Sequence, residues 1–315
     1  MAHGINLAFA RALLLKGCNV IFADQSLRPE AQRVVDAHPP SPTASDPSSH
    51  APPGAAVFVQ TDVRSWPQLS RAFAAASTHF PRAPLTLVCP GAGVYEPASS
   101  SFWHPPGTRG SGDDPGDPSR YAIFDVNVVH PIRAAQMALA RWLNDEQPAG
   151  PKTLLLVSST SAQATSLATP LYDASKHAVS GFVRALAGLQ DAVGVRVVAV
   201  APGLVRTPLY TEDAEKLAMV DESRDVWVEP EEVAEVMCAL VEREGMGGVV
   251  GVYAGEGQEE DIKIEGGTVV EVTKGRARAV MAFNDPGPSG PGTAASNMGE
   301  AEGKVKAMLK KGWGC

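Results

Sequence analysis

Cysteine is scarce: Cys18, Cys89, Cys238 and Cys315 are the four in 315 residues, and none shares a Cys-x-x-Cys or other metal-ligand spacing. That argues against a disulfide framework or a zinc site. Cys18 and Cys89 lie in apolar, strand-like runs and read as buried thiols in a reducing cytosol. Positive charge is also short. Against 35 Asp and Glu stand 27 Lys and Arg, a net charge of −8 with a pI near 5.4. Nothing electrostatic therefore favours nucleic acid or an anionic membrane as a partner. No apolar stretch reaches the roughly 20 residues of a membrane span. The first residues also lack the apolar core of a signal peptide, so a cytoplasmic protein is expected.

What is present alternates. Residues 4–16 read as an amphipathic helix with Leu7, Ala10, Leu14 and Leu15 on its apolar side, closed by Gly17. Asn19–Ala23, Val57–Gln60, Leu85–Cys89, Thr153–Ser158 and Val195–Val200 are short continuous apolar runs, as buried parallel strands require. Helical patterns fall between them, at about 67–79, 119–143, 170–190 and 230–243. Strands alternating with helices predict one α/β domain with a doubly wound parallel sheet, Rossmann-like. It spans residues 1–283.

Three stretches interrupt that pattern as insertions. Residues 38–56 are Pro/Ser-rich and read as a disordered loop. Residues 98–118 read as a mobile lobe near the site mouth. In the third, Gly247-Gly248-Val249-Val250 and Gly266-Gly267-Thr268-Val269-Val270 both resemble entry into a last strand. The preferred reading makes 268–273 the strand and 248–265 an insertion; a hairpin pairing the two runs is the alternative. Residues 284–315 read as a poorly packed extension ending in a helix at 300–310.

Ser159, Tyr172 and Lys176 carry the chemistry. Tyr172 and Lys176 are four apart, one helical turn, and so share a helix face. A phenol with an ordinary pKa near 10 is a weak acid/base at neutral pH, but a neighbouring ammonium favours the phenolate. Ser159 ends the run Thr153–Val157, so a strand end and the next helix can gather hydroxyl, phenol and ammonium beside a carbonyl. Tyr-x-x-x-Lys alone is a common surface pair; the serine and the small residues Ala174, Ser175 and Ala178 tip the balance.

With Asn19–Asp24, Thr61-Asp62-Val63, Val88–Pro97, Asp125-Val126-Asn127 and Ala201–Pro208, these residues resemble a short-chain dehydrogenase/reductase. The chain is similar, more narrowly, to the fungal group related to 15-hydroxyprostaglandin dehydrogenase. The resemblance runs from about Gly4 to Pro288. It implies an NAD(P)-dependent oxidoreductase interconverting a hydrophobic secondary alcohol and its ketone. Tyr172 would be the general acid/base, with Lys176 lowering its pKa and holding the nicotinamide ribose. Ser159 would polarise the substrate oxygen, and Asn127 would kink its helix and hold a water of the proton relay. Strand-end capping is the plainer role for Ser159, and a satisfied helical amide the plainer one for Asn127. Leu209, Tyr210, Met219 and Trp227 are expected to close the substrate pocket, and a homodimer or homotetramer is implied.

The resemblance also assigns a dinucleotide site with one piece missing. Of the motif strand–Thr-Gly-x-x-x-Gly-x-Gly only Gly4 and Ile5 match; Asn6 replaces the last glycine, and the first strand is absent. The expectation is a fragment of a longer chain, or else a damaged relative that is a catalytically silent NAD-binding or scaffold protein. Asp24 would accept hydrogen bonds from the adenosine ribose and repel a 2′-phosphate, favouring NAD over NADP, with Arg28 as a counter-indication. A turn-forming Asp is the simpler alternative there. Asp62 and Val63 would meet the adenine. Gly91, Ala92 and Gly93 would pass close to the nicotinamide ribose, Pro202 and Gly203 would frame the nicotinamide, and Thr207 would bond its carboxamide. No metal is expected.

Overall fold

The structure is a computed structural model and describes residues 3–40, 54–96, 100–113, 115–116, 120–145, 150–250, 258–282 and 298–314. The chain begins with α1 (Gly4–Leu15), β1 (Val20–Asp24), α2 (Pro29–Ala37), β2 (Ala56–Gln60), α3 (Trp66–His79) and β3 (Leu87–Val88). It continues through α4 (Ala122–Phe124), α5 (His130–Asn144), β4 (Lys152–Val157), α6 (Pro170–Ala185), α7 (Leu189–Val193) and β5 (Val195–Pro202). Then come α8 (Pro208–Thr211), α9 (Ala214–Leu217), α10 (Pro230–Glu242), β6 (Gly245–Val250), β7 (Gln258–Lys263), β8 (Val269–Thr273), β9 (Arg276–Ala279) and α11 (Met298–Met308). Proline in the first turn starts α2, α3, α5, α6 and α10. There its fixed φ suits the helix and its missing N–H costs no bond.

The strands form two separate sheets. β1 and β2 pair in parallel, Val20 to Ala56 through Asp24 to Gln60. The second sheet has seven strands in the order β3-β4-β5-β8-β9-β6-β7. Its β3-β4-β5-β8 part is parallel, and β9 and the β6–β7 hairpin extend it in mixed orientation. Among the described residues no strand lies between β1 and β3. β3 itself is paired over only two residues, shorter than the expected Leu85–Cys89, because β4 alone supplies it a ladder.

Helix α1 joins the two sheets. Ala8, Phe9 and Leu13 enter the core formed by Leu155, Val198, Val200 and α10, while Leu7, Ala10 and Leu14 pack with Phe22, Ala31 and Ala56 of the smaller sheet. These are two faces of one helix, each with its own i, i+3 or i+4 spacing. Leu15, expected on the apolar side, is 78% exposed, because both faces are already defined without it.

Other expectations change. The helix at 119–143 is broken: a π-helical turn over Asp125–Val129 separates α4 from α5 and carries Asn127. β8 takes the place beside β5, in line with the preferred reading of 268–273 as the strand, while the first Gly-Gly-Val run forms a hairpin with Gln258–Lys263 and not with the second run. The 100–113 loop is tied down rather than loose. Buried Ser100 donates to Asp113 at 2.9 Å, and the Trp103 indole donates to the Leu167 carbonyl at 2.8 Å. The last residues are also anchored. Asn144 donates to the Trp313 carbonyl at 2.9 Å and accepts from the Gly312 N–H at 2.6 Å, while Leu309 and Trp313 pack against the α5–α6 core. Of the 38–56 loop, 41–53 lie outside the described residues; its ends meet where the Ala56 N–H donates to the His38 carbonyl at 2.6 Å.

Phe9 is 3% exposed. Phe9→Ala is expected to cost about 3–5 kcal/mol by emptying the α1–α10 seam, whereas Leu15→Ala changes stability by less than about 0.5 kcal/mol. Urea unfolding of the two variants checks this, and equal losses would contradict the two-faced packing of α1.

Candidate active site

β4 and β5 run in register, Val157 opposite Val200, and the Ser158 N–H donates to the Val200 carbonyl at 2.7 Å. Ser158-Ser159 and Pro202-Gly203 therefore leave the sheet together at its carboxyl edge, where ligands of such folds bind. α6 returns across that edge with Tyr172, Ser175, Lys176, Val179 and Val183 on its buried face. The N-terminus of α1 closes the other side. The resulting crevice is lined by His3, Gly4, Ile5, Asn6, Gly91, Gly93, Ser159, Tyr172, Lys176, Pro202, Gly203, Thr207, Leu209 and Tyr210, with Val94, Val157, Ser158 and Val205 beneath.

Inside it the Ser159 hydroxyl faces the Tyr172 phenol. The Lys176 ammonium donates to the Val157 carbonyl at 3.0 Å and lies 5.5 Å from the centroid of the Tyr172 ring. The expected acidification of the phenol is not what this packing produces. Burial pushes Tyr172 above its usual range; the Ser159 hydroxyl opposes that rise, and Tyr95 and Asp173 add to it. Burial also pulls Lys176 down, to about 8. Both shifts have one cause, since a water-poor setting disfavours phenolate and ammonium alike.

Asn127 is fully engaged. Its carbonyl accepts the Val94 N–H at 2.9 Å, and its amide donates to the Val94 carbonyl at 2.9 Å and to Ser175 Oγ at 3.1 Å. The π-helical turn thus clamps the loop after β3 to α6. Gly4 has φ +55°, and a Cβ there would lie 2.7 Å from Thr207 Cγ2, so α1 and the segment after β5 meet at the crevice only through a glycine. Asn6 donates to the Gly91 carbonyl at 2.7 Å. The close approach expected at Gly91 is thus taken up by the side chain that replaces the motif's last glycine.

Other expected residues lie elsewhere. Asp24 is buried at the end of β1, accepting the Gln25 N–H at 2.6 Å. Asp62 is paired with Arg64 at 2.8 Å, which holds its carboxyl below the usual range. Val63 lines a separate cleft with Trp66, Arg120 and Val129. The structure does not bring these three to Tyr172, because they belong to the smaller sheet and its following turn. Ala92 does not line the crevice. Met219 is 50% exposed and closes nothing, while Trp227 is buried behind Tyr210, ring centroids 6.2 Å apart.

Sequence reasoning passed over Asn6, Tyr95 and Glu96. The Tyr95 ring lies 4.4 Å from that of Tyr172, and Glu96 is wholly buried beneath α6. Their signal, a Tyr-Glu pair directly after Gly-Ala-Gly-Val, is readable only once that loop is known to pass under the helix.

A nucleotide cofactor finds partners here. His3 contributes a buried Nδ1 with no hydrogen-bond partner at the start of α1, and burial chiefly lowers its pKa to about 4, so the ring is neutral. Backbone amides at a helix N-terminus suit phosphate, and Lys176, Tyr172 and Thr207 offer donors for ribose and carboxamide. Among the described residues no group of three or more His, Cys, Asp or Glu could hold a metal ion, and no helix is long and apolar enough to cross a membrane.

A family model described as short chain dehydrogenase matches residues 1–218. The chain is 26% identical over 262 residues to the human (Homo sapiens) 15-hydroxyprostaglandin dehydrogenase, NAD(+), covering 79% of this chain and 86% of that protein. It is 27% identical over 213 residues to the hydroxynaphthalene reductase-like protein Arp2 of Metarhizium guizhouense, covering 67% and 68%. A solved 3-ketoacyl-(acyl-carrier-protein) reductase from Brucella melitensis, complexed with NADH, superposes with a TM-score of 0.56 at 22% identity. It covers 76% of this chain and 87% of its own, and shares the fold.

Lys176 titrates near 8 when folded against 10.5 otherwise. Between those values the unfolded chain binds more protons, so stability rises with pH there; below about pH 8 the burial penalty is fully present. Lys176→Met is expected to stabilise the protein by on the order of 3 kcal/mol near neutral pH, with the gain shrinking toward about pH 10. Urea midpoints of both proteins across that range check it; a gap independent of pH would contradict the burial of a charged amine.

Proposed function

The chain belongs to the short chain dehydrogenase family, and from that premise we propose that it interconverts a hydrophobic secondary alcohol and its ketone with NAD. The observation that carries this reading is the convergence of Ser159, Tyr172 and Lys176 in the crevice at the end of β4. The dinucleotide, when bound, supplies or accepts the hydride. Tyr172, a neutral phenol at working pH, holds the proton at Oη and gives it to the substrate oxygen in reduction; in oxidation it first releases that proton to solvent and then, as phenolate, takes the alcohol's. The Ser159 hydroxyl polarises the same oxygen and stabilises charge developing on it. Lys176 and Thr207 hold the nicotinamide ribose and carboxamide, Asn127 keeps the loop after β3 against α6, and Leu209 and Tyr210 exclude water.

For the remainder of the dinucleotide we assign Gly4, Ile5, Gly91, Ala92, Gly93, Pro202 and Gly203 to backbone contacts, Asp24 to the adenosine ribose, and Asp62 and Val63 to the adenine. Two features support NAD over NADP. Asp24 is a carboxylate at the end of β1, and Arg28, the cation that could meet a 2′-phosphate, is held in a two-pronged ion pair with Glu212. The similarity to 15-hydroxyprostaglandin dehydrogenase, an NAD(+) enzyme, points the same way.

Tyr172→Phe is expected to lower kcat by about 10²–10⁴-fold while dinucleotide affinity stays within about threefold. Retained turnover would refute the assigned role. Steady-state rates should also favour NAD over NADP in kcat/KM, and Glu212→Ala, which frees Arg28, should narrow that preference. An unchanged ratio would remove Arg28 from the account.

A further inference from the structure

The buried carboxylate of Glu96 has no place in the chemistry described above, yet it touches the residue at its centre. Glu96 is 0% exposed. One oxygen accepts the Phe102 N–H at 2.8 Å; the other accepts the N–H groups of Leu171 at 2.9 Å and Tyr172 at 3.2 Å. Leu171 and Tyr172 lie in the first turn of α6, whose amides lack intrahelical acceptors. The residue before that helix, Thr169, provides no side-chain cap. Glu96 caps α6 from 75 residues earlier in the chain, and a carboxylate is the favoured charge at a helix N-terminus. A buried carboxylate is costly unless donors satisfy it, and here three amides do.

We propose that Glu96 is the positioning residue for Tyr172. With its neighbour it grips the tyrosine twice: Tyr95 lies against the ring at 4.4 Å between centroids, and Glu96 holds the backbone amide. The phenol therefore reaches Ser159 from a helix start whose position is fixed by the loop after β3 and not by α6 alone. Through the Phe102 N–H the same carboxylate ties in the 100–113 loop. That loop is pinned to α4 because Asp113 accepts from Ser100 Oγ at 2.9 Å and from the Ala122 N–H at 3.0 Å. The groups facing the phenol are Ser159, Tyr95 and Tyr210 from other elements and Asp173 and Lys176 from α6.

This inference rests on Tyr172 being the acid/base. Two variants of the full chain test it. Glu96→Asp keeps the charge but shortens the reach; kcat should fall by about 10–100-fold, because sub-ångström misplacement of a reacting group costs that much. Its KM and NADH affinity should stay within about threefold, and the tyrosine limb of its pH profile should not move. Glu96→Gln keeps the reach but turns one acceptor into a donor facing backbone N–H groups; kcat should fall while KM stays within about threefold. Wild-type kcat and pH profile in a folded Glu96→Asp protein, with only the melting temperature reduced, overturns the proposal. If neither variant folds, amide exchange on the unaltered protein decides. Phe102, Leu171 and Tyr172 exchanging as one protected set supports it, and a freely exchanging Tyr172 amide overturns it. Activity that persists in Tyr172→Phe defeats the parent reading instead, in a separate protein, so the two failures are distinguishable.

Discussion

The crevice exists because α1 is apolar on two faces. Phe9 and Leu13 bind it to the seven-stranded sheet and α10, and Leu7, Ala10 and Leu14 bind it to the smaller sheet. With no strand between β1 and β3 among the described residues, backbone pairing does not hold these sheets side by side; side-chain burial on α1 does so, with α3 packed against α5 and the Arg28–Glu212 ion pair. The same helix presents Gly4, Ile5 and Asn6 to the carboxyl ends of β4 and β5. Fold and site thus share one support, reinforced by the Asn6–Gly91 bond. The split leaves Asp24 and Asp62 on the smaller sheet, tied to the rest by α1, by α3 against α5 and by the Arg28–Glu212 ion pair.

Burial governs the electrostatics of the site as well. Tyr172 and Lys176 are pushed in opposite directions from their usual values by the same loss of water. The phenol is therefore held in its protonated form, and any further tuning must come from groups that approach it. Three supports fix its geometry: Ser159 at the hydroxyl, Tyr95 on the ring and Glu96 at the backbone. Each comes from outside α6, which is why helix and loop must fold together before the residues align.

Much of this was legible in the chain. The spacing of Ser159, Tyr172 and Lys176 follows helix and strand geometry, and the apolar runs of β4 and β5 could only be buried strands. Gly4, Gly93, Pro202, Gly203 and Thr207, which the resemblance placed around a dinucleotide, line one crevice. What was not legible depended on long-range packing. The Lys176 ammonium promised a more acidic phenol, since sequence spacing reports proximity but not dehydration. Phe9 and Leu13 were hidden because a helix buried on two faces shows no single stripe. Glu96 looked like any loop carboxylate, and the π-helical turn at Asn127 depends on the contact with Val94. The β6–β7 hairpin inside the stretch expected as an insertion was not legible, because its second strand, Gln258–Lys263, is largely charged and shows no apolar run.

The central claim is that α1 and the β4–β5 edge together form a nicotinamide dinucleotide site beside Tyr172. Titrating the folded protein with NADH, following energy transfer from tryptophan to the nicotinamide, tests it most directly, because Trp227 lies behind Tyr210 at the crevice wall. The account predicts saturable transfer with a Kd well below about 1 mM, reversed by added NAD. A folded protein that shows no saturation up to several millimolar would contradict it.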